Sequence, residues 1–297
     1  MRAVENGAGG RAGRSPTGVE EDRTTMRLHG CVIALAVCLT AACAAWASAA
    51  GSGRECLVTA QAGYAVDFTN GKVLCAKNTR MKLYPASTAK LMTALVVLDR
   101  TDFTREVLVS SRAANAEPTK AGLTEGSVHS VEELLGMLLA TSANDAAVAL
   151  AEAVAGTEDE FAGLMNRKAR ELGMKDSHFA NATGLPDKSQ VSSAHDLALL
   201  TRAAFTHPFI EKVMAQKRVT ITGSDGKRIS RANHNKLLWR LNTPRVLGKT
   251  GYTRSAQHCY AGIAYYGDRR VSLVILKSRR PWADIYSLLG VPRRATR

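Results

Sequence analysis

The sequence predicts a mixed α/β fold whose sheet is drawn from both ends of a single domain. Three observations predict it: a hairpin pattern with an Asn-Gly turn at 64–75, helical periodicities from 87 to about 205, and short β-type runs between turn residues from 218 onward.

The elements follow in chain order. Tyr64-Ala65-Val66-Asp67 and Lys72-Val73-Leu74-Cys75 flank Phe68-Thr69-Asn70-Gly71, where Asn-Gly marks an antiparallel reversal. Pro85 precedes an apolar-periodic segment at 87–98, with Leu91, Leu95 and Leu98 on one face and Ser87 at the helix start. Further helices are predicted at 131–139, 145–154, 158–172 and 194–205, separated by breaks containing Gly, Ser and Asn. Strands follow at 218–222, 260–266 and 270–276, with Ser224-Asp225-Gly226 and Gly267-Asp268 as turns, and a last helix spans 282–289. No internal repeat, low-complexity linker or second-domain boundary interrupts the chain after about residue 50. Residues 50–291 therefore read as one catalytic-sized domain and 292–297 as a basic tail.

Ahead of that domain, Arg27, an apolar stretch at 31–45 and Ala47-Ser48-Ala49 give residues 26–49 the charged, apolar and small-residue order of a signal peptide. Residues 1–25 form a polar lead, with Met26 as an alternative start. The expectation is an exported protein, working in the periplasm or on the extracellular side of the cytoplasmic membrane. Cys31, Cys38 and Cys43 would leave with the signal, and Cys56, Cys75 and Cys259 would stay. An oxidising compartment permits one disulfide among these three, but an odd number gives no framework, and the reading favours buried or idle thiols.

A chain with 45% hydrophobic and 22% charged residues is neither disordered nor multispan. Its formal charge of +14 is concentrated in part at Lys277, Arg279, Arg280, Arg293, Arg294 and Arg297. No zinc-ligand spacing, basic heptad or aromatic RNA-binding signature accompanies it, so nucleic acid is not the expected partner. Two readings stay open: a solvated basic face, or peripheral contact with an anionic membrane or wall polymer.

Three short motifs carry the chemistry. Ser87-Thr88-Ala89-Lys90 puts a hydroxyl and an amine three residues apart, on one face of a helix. A serine hydroxyl needs a base beside it to attack a carbonyl, and a neutral lysine can serve. The spacing alone is weak, because Ser224-Asp225-Gly226-Lys227 matches it too, in a predicted turn. Company and order discriminate: Ser142-Ala143-Asn144 lies between two predicted helices and Lys249-Thr250-Gly251 precedes a β-type run, each occurring once.

Ser-x-x-Lys, Ser-x-Asn and Lys-Thr-Gly in that order resemble the penicillin-binding proteins and serine β-lactamases. Longer stretches are similar to the low-molecular-mass D-alanyl-D-alanine carboxypeptidases. They include Tyr84-Pro85-Ala86 before Ser87, Asp145-Ala146-Ala147 after Asn144, and 178–186, 193–200 and 248–253. The resemblance covers roughly residues 60 to 290. It implies a β-lactamase/transpeptidase-like fold, with an antiparallel five-stranded sheet flanked by helices plus a helical subdomain.

The same resemblance implies roles. Ser87 would attack the penultimate D-alanine carbonyl of a peptidoglycan stem peptide, forming an acyl-enzyme. Lys90, deprotonated through burial and the charge of Lys249, would be its base. Ser142 would relay a proton to the leaving amine, and Asn144 would fix substrate amide and lysine. Lys249 and Thr250 suit the terminal carboxylate, Gly251 lets substrate lie close to the strand, and the N–H groups of Ser87 and Tyr252 would stabilise the oxyanion. No metal or organic cofactor is implied, since serine and lysine supply the chemistry, and β-lactams would be covalent inhibitors.

Two departures from the family pattern stand out. Gln257 and His258 occupy positions before Cys259 where Gly commonly follows the alanine, so a side chain is expected to narrow the cleft. The family often continues into a β-rich domain and an anchoring helix, whereas this sequence stops at Arg297. Asn181-Ala182-Thr183-Gly184 is expected to shape a loop below the site without chemistry of its own. His178, His195, His234 and His258 lack a Gly-x-Ser-x-Gly elbow and read as surface or packed residues. The rival functions are a β-lactamase, a DD-endopeptidase and a noncatalytic wall- or antibiotic-binding protein. Against the first, no Glu-x-x-x-Asn lies between Ser142 and Lys249 to position a deacylating water.

Overall fold

The computed structural model describes residues 54–240, 245–266 and 269–290. The polar lead, the segment 26–49 expected to be a signal peptide and the basic tail lie outside the described residues. The short strand β1 (Arg54–Glu55) runs parallel to β3 (Val73–Lys77), which forms the expected hairpin with β2 (Ala62–Asp67). Gly71 takes a φ of +70° in the turn between them, a conformation glycine adopts without steric cost.

The middle of the chain is helical. α1 (Lys90–Leu98) is buried from Lys90 through Val97, as expected of a helix apolar on all sides. After it come β4 (Glu106–Leu108), α2 (Ser111–Ala114) and β5 (Val128–Ser130). Then α3 (Val131–Thr141) starts at a capping box in which the Ser130 hydroxyl and the Glu133 carboxylate satisfy each other's backbone N–H. α4 (Asn144–Ala155), α5 (Glu158–Glu171) and α6 (Ala194–Ala204) match the predicted helices within a few residues, the last two capped by Thr157 and Ser193. α7 (Pro208–Ala215) went unread in the sequence, although Pro208 at its first turn is a start signal.

The late β-type runs form two structures. β6 (Arg218–Thr222) and β7 (Arg228–Ala232) make a small separate hairpin against α3. β8 (Arg245–Thr253), β9 (Gln257–Tyr266) and β10 (Arg269–Ser278) join the main sheet, and α8 (Pro281–Leu288) follows. The strand order β1-β3-β2-β10-β9-β8 contains the five antiparallel strands implied by the resemblance, with two-residue β1 added in parallel at one margin. β8 is the opposite margin. Leu247, Ile263, Val274 and Leu276 pack toward the helical region, while Val246, Ala264, Leu273 and Ile275 pack with Ile285 and Leu288 of α8.

Three expectations change. Cys56 and Cys75 form a disulfide and only Cys259 is a free, buried thiol, so the idle-thiol reading was wrong for two of the three. The reason is topological: β1 and β3 bring together residues 19 apart, and a closure of that length is worth about 3 kcal/mol in unfolded-chain entropy. The segment 87–98 is not one helix but a 3-10 turn (Ala86–Ala89) followed by α1. Lys249-Thr250-Gly251 lies inside β8 rather than before a strand.

Candidate active site

Ser87 sits in the 3-10 turn, presented by an unusual backbone. Ala86, immediately before it, has φ +48°, a left-handed conformation costly for a residue with a Cβ. Two glycines make room for this turn. A Cβ on Gly184 would lie 2.2 Å from the Ala86 carbonyl oxygen, and one on Gly251 would lie 2.9 Å from the Ser87 nitrogen and 3.0 Å from the Ala86 Cβ. Gly251 is thus the point at which β8 presses its backbone against the serine turn.

Lys90, one turn on, is completely buried. Its Nζ donates to Asn144 Oδ1 at 2.6 Å and to the Thr183 carbonyl, and lies 3.2 Å from Ser87 Oγ. Burial first, and the charge of Lys249 second, hold its pKa well below the usual lysine range, against the opposing pull of Glu158 and Asp145. A neutral amine has two N–H donors and one lone pair. With Asn144 and Thr183 taking the two donors, the lone pair is left for Ser87 Oγ.

Ser142 is placed by the end of α3. It takes the left-handed C-cap conformation, φ 63° and ψ 29°, where glycine or asparagine is the commoner occupant. Asn144, two residues on, is a bridge: its backbone N–H reaches the Thr119 carbonyl at 2.7 Å and its Nδ2 the Glu117 carbonyl at 2.8 Å. The adjacent Asp145 carboxylate accepts the N–H groups of Ala121, Gly122 and Leu123, fixing the loop that carries Thr119 into the site.

Lys249 is 1% exposed and donates to the Thr250 carbonyl at 2.8 Å; burial brings its pKa down to about 7. A cleft of about 260 Å³ is lined by Ser87, Ser142, Thr250, Gly251, Thr119 and His234, and by Tyr252 further out. Lys90, Asn144 and Lys249 stand behind this wall. The expected site residues therefore converge, from a turn, two helix ends and the edge strand.

Sequence reasoning missed several contributors. The 181–184 loop was given no chemistry, yet Thr183 supplies a carbonyl to Lys90, Ala182 supplies one to Thr93 Oγ1, and Gly184 clears the serine turn. His234 lines the cleft, and its pKa falls to about 4 through burial and the charges of Lys249 and Lys90. Its signal was only its place in Asn233-His234-Asn235 before the edge strand. Gln257, expected to narrow the cleft, does not line it. It occupies the β8–β9 hairpin with φ +52°, and His258 is the neighbour that reaches the cleft. The second Ser-x-x-Lys lies in the β6–β7 turn as expected, with Gly226 at φ +74°. Among the described residues no group of three or more His, Cys, Asp or Glu could hold a metal ion.

The family model for D-alanyl-D-alanine carboxypeptidase matches residues 49–280. D-alanyl-D-alanine carboxypeptidase DacF of Bacillus subtilis is 33% identical over 235 residues, 75% of this chain, which spans 58% of that relative's length. DacB2 of Mycobacterium tuberculosis is 34% identical over 219 residues, covering 73% of this chain and 74% of that protein. Among solved structures, a D-alanyl-D-alanine carboxypeptidase of M. tuberculosis H37Rv superposes with a TM-score of 0.74 at 31% identity, over 81% of this chain and 93% of that one. The DD-transpeptidase of Streptomyces K15 gives a TM-score of 0.72 at 26% identity, over 80% and 98%. Fold and site thus define a serine–lysine domain of the transpeptidase-like class. Within that class, the chain belongs to the D-alanyl-D-alanine carboxypeptidase family.

Proposed function

We propose that this protein is a serine-type D-alanyl-D-alanine carboxypeptidase that removes the terminal D-alanine from peptidoglycan stem peptides. The observation that carries the reading is the amine of Lys90, buried, depressed in pKa and held with its lone pair toward Ser87 Oγ.

Lys90 takes the serine proton as Ser87 Oγ bonds to the penultimate carbonyl carbon. The negative charge that develops on the carbonyl oxygen is met by the backbone N–H groups of Ser87 and Tyr252, at the close approach that Gly251 permits. Ser142 relays the Ser87 proton from Lys90 to the departing amine, giving up its own and taking the lysine's; the C–N bond breaks, D-alanine leaves and Lys90 is neutral again. Water then attacks the acyl-enzyme with Lys90 again as base, releasing the shortened peptide and restoring the serine. Lys249 and Thr250 hold the terminal carboxylate, which makes the protein selective for a free C-terminus. Asn144 keeps Lys90 aimed, its Oδ1 accepting from the amine while its Nδ2 donates to the Glu117 carbonyl. Among the described residues β8 has no strand on its outer margin, so an extended peptide can lie along it as an added strand.

Export to the outer side of the cytoplasmic membrane belongs to the same proposal. The Cys56–Cys75 bridge supports it, since such bonds persist in oxidising compartments. Peripheral contact of the basic surface with an anionic membrane or wall polymer belongs to it as well.

The test is release of D-alanine from a short peptide ending in D-Ala-D-Ala, with Ser87→Ala beside the native protein, and the mass of both after incubation with benzylpenicillin. Release and a stable penicilloyl adduct are expected from the native protein only. A folded native protein that gives neither would overturn the reading.

A further inference from the structure

A second cavity, of about 240 Å³, lies beside the segment that leads into Ser87. It shares no lining residue with the catalytic cleft. Two lysines line it from different elements: Lys82 from that leading segment and Lys277 from the end of β10. Ser255, in the turn between β8 and β9, adds a hydroxyl. The remaining wall is apolar, made by Leu83, Val191 and Ala256 with Tyr84 beside them.

The charge in this cavity is unanswered. No lining residue is acidic, and among the described residues neither lysine amine has a carboxylate or hydrogen-bond partner. Lys277 also departs from the regular strand. It has φ +54° and falls where the β9–β10 register shifts between Ile275 and Ser278. A left-handed lysine inside a strand persists only where its surroundings impose it, and such positions gather at binding sites.

The cavity borders the reaction site through one residue. Cys259 lines the catalytic cleft, and its Sγ lies 3.6 Å from the Tyr84 carbonyl oxygen and 3.7 Å from that of Ala256, both residues of the second cavity. The Lys277 backbone N–H meets the same sulfur. Cys259 in turn pairs with Gly251, which presses on the serine turn. A ligand that bridges Lys82 and Lys277 therefore ties the segment delivering Ser87 to the end of the sheet.

Size and chemistry define that ligand. The volume is below the roughly 300–1,000 Å³ of pockets that enclose drug-sized molecules, so the cavity takes one end of a chain. Two ammonium groups and a hydroxyl suit a carboxylate, and the apolar wall suits a methyl-sized side chain next to it. A free amino acid brings its own ammonium, which the lysines repel, whereas an amide-linked residue does not.

We propose that Lys82, Lys277 and Ser255 form a second, noncatalytic binding site for the carboxylate end of a short peptide whose last side chain is small and apolar. Stem peptides present such ends if the carboxypeptidase reading holds. Binding here needs none of the chemistry of Ser87.

Amide chemical shifts of the ¹⁵N-labelled full-length protein test this, with N-acetyl-D-alanine as the probe. Saturable shifts are expected at Tyr84, Ser255, Ala256 and Lys277. Lys82→Gln raises the apparent Kd at these amides by about tenfold, the loss of one charge-assisted contact. Lys82→Gln with Lys277→Gln abolishes the shifts there and leaves those at Thr250 and Gly251, where the probe meets Lys249 in the cleft. N-acetyl-D-alaninamide, without the charge, and D-alanine, with an added ammonium, shift the cavity amides little. Shifts confined to Thr250 and Gly251, cavity shifts that survive the double substitution, or equal shifts with the alaninamide would overturn the second site. Cavity shifts without any at Thr250 and Gly251 would uphold it and count instead against the carboxypeptidase reading.

Discussion

Ser87-Thr88-Ala89-Lys90 and Ser224-Asp225-Gly226-Lys227 share one spacing and nothing else. In the first, the lysine is sealed under the sheet edge, its donors taken by Asn144 and Thr183 and its amine set against the serine. In the second, an exposed Lys227 reaches away to the Gly122 carbonyl and Thr124 Oγ1, and Ser224 Oγ accepts the Val128 N–H. Three residues of separation bring the amine to the serine in the first motif and not in the second. Only burial makes the amine a base, and only backbone from elsewhere in the chain orients it.

The comparison breaks most readily at the serines. Ser87→Ala is expected to lower D-alanine release by roughly 10⁴-fold or more, whereas Ser224→Ala leaves kcat/KM at the native value. Its cost is confined to about 1 kcal/mol of stability for one lost hydrogen bond, read in thermal melts. At the lysines, Lys90→Met keeps the buried volume and loses the base, so acylation by penicillin slows by about 10²–10⁴-fold in stopped-flow or mass-resolved kinetics. Lys227→Met leaves that rate unchanged.

The glycines near each motif sharpen the contrast further. Gly184→Ala places a Cβ 2.2 Å from the Ala86 carbonyl, at a φ of +80°, and is expected to cost about 3 kcal/mol or more and to displace Ser87. Gly226→Ala, at φ +74° with nothing within 4 Å, costs only about 1 kcal/mol and leaves turnover alone. Denaturant midpoints and kcat separate the two.

The pH dependence is a fourth test. Lys90 must be neutral, so kcat/KM falls on the acid side as its depressed pKa is crossed. Lys249 must be charged to hold a carboxylate, so kcat/KM falls again as pH rises above about 7. For stability the sign is single: both folded-state pKa values lie below the unfolded 10.5, the unfolded chain binds more protons in between, and stability therefore rises with pH from those folded values toward 10.5. A kcat/KM profile without an alkaline limb would remove Lys249 from carboxylate binding. The smallest effect is expected at Gln257→Gly, which relieves a φ of +52° and raises stability by about 1 kcal/mol, with no change in kcat.

The helices at 131–141 and 158–171 were legible because apolar periodicity agrees there with the caps Ser130 and Thr157, and the helix at 144–155, which starts at Ala143 without a side-chain cap, was legible from periodicity alone. The three motifs were legible because each needs particular side chains at fixed separations. What stayed hidden depends on backbone. The carbonyl of Thr183 is a base-orienting group that any residue type could supply, and Ala86 gives no sign in its side chain of a left-handed conformation. The Cys56–Cys75 pairing was hidden for a related reason, since a two-residue parallel contact leaves no periodicity to read. Asp145 could have been found: a carboxylate directly after the Ser-x-Asn motif, in an otherwise apolar run, had to be satisfied by something.

β2 and β10 lie side by side in the sheet although Ala65 and Leu273 belong to opposite ends of the domain. Asp284 in α8 adds to this join by accepting the N–H groups of Thr59 and Ala60 together with the Ser278 hydroxyl. Contacts of such sequence separation form late and slowly. A growing chain that has delivered Ser87 and Lys90 still lacks the strand bearing Lys249, so the nucleophile stays inert throughout synthesis and its chemistry switches on only after the whole domain has closed.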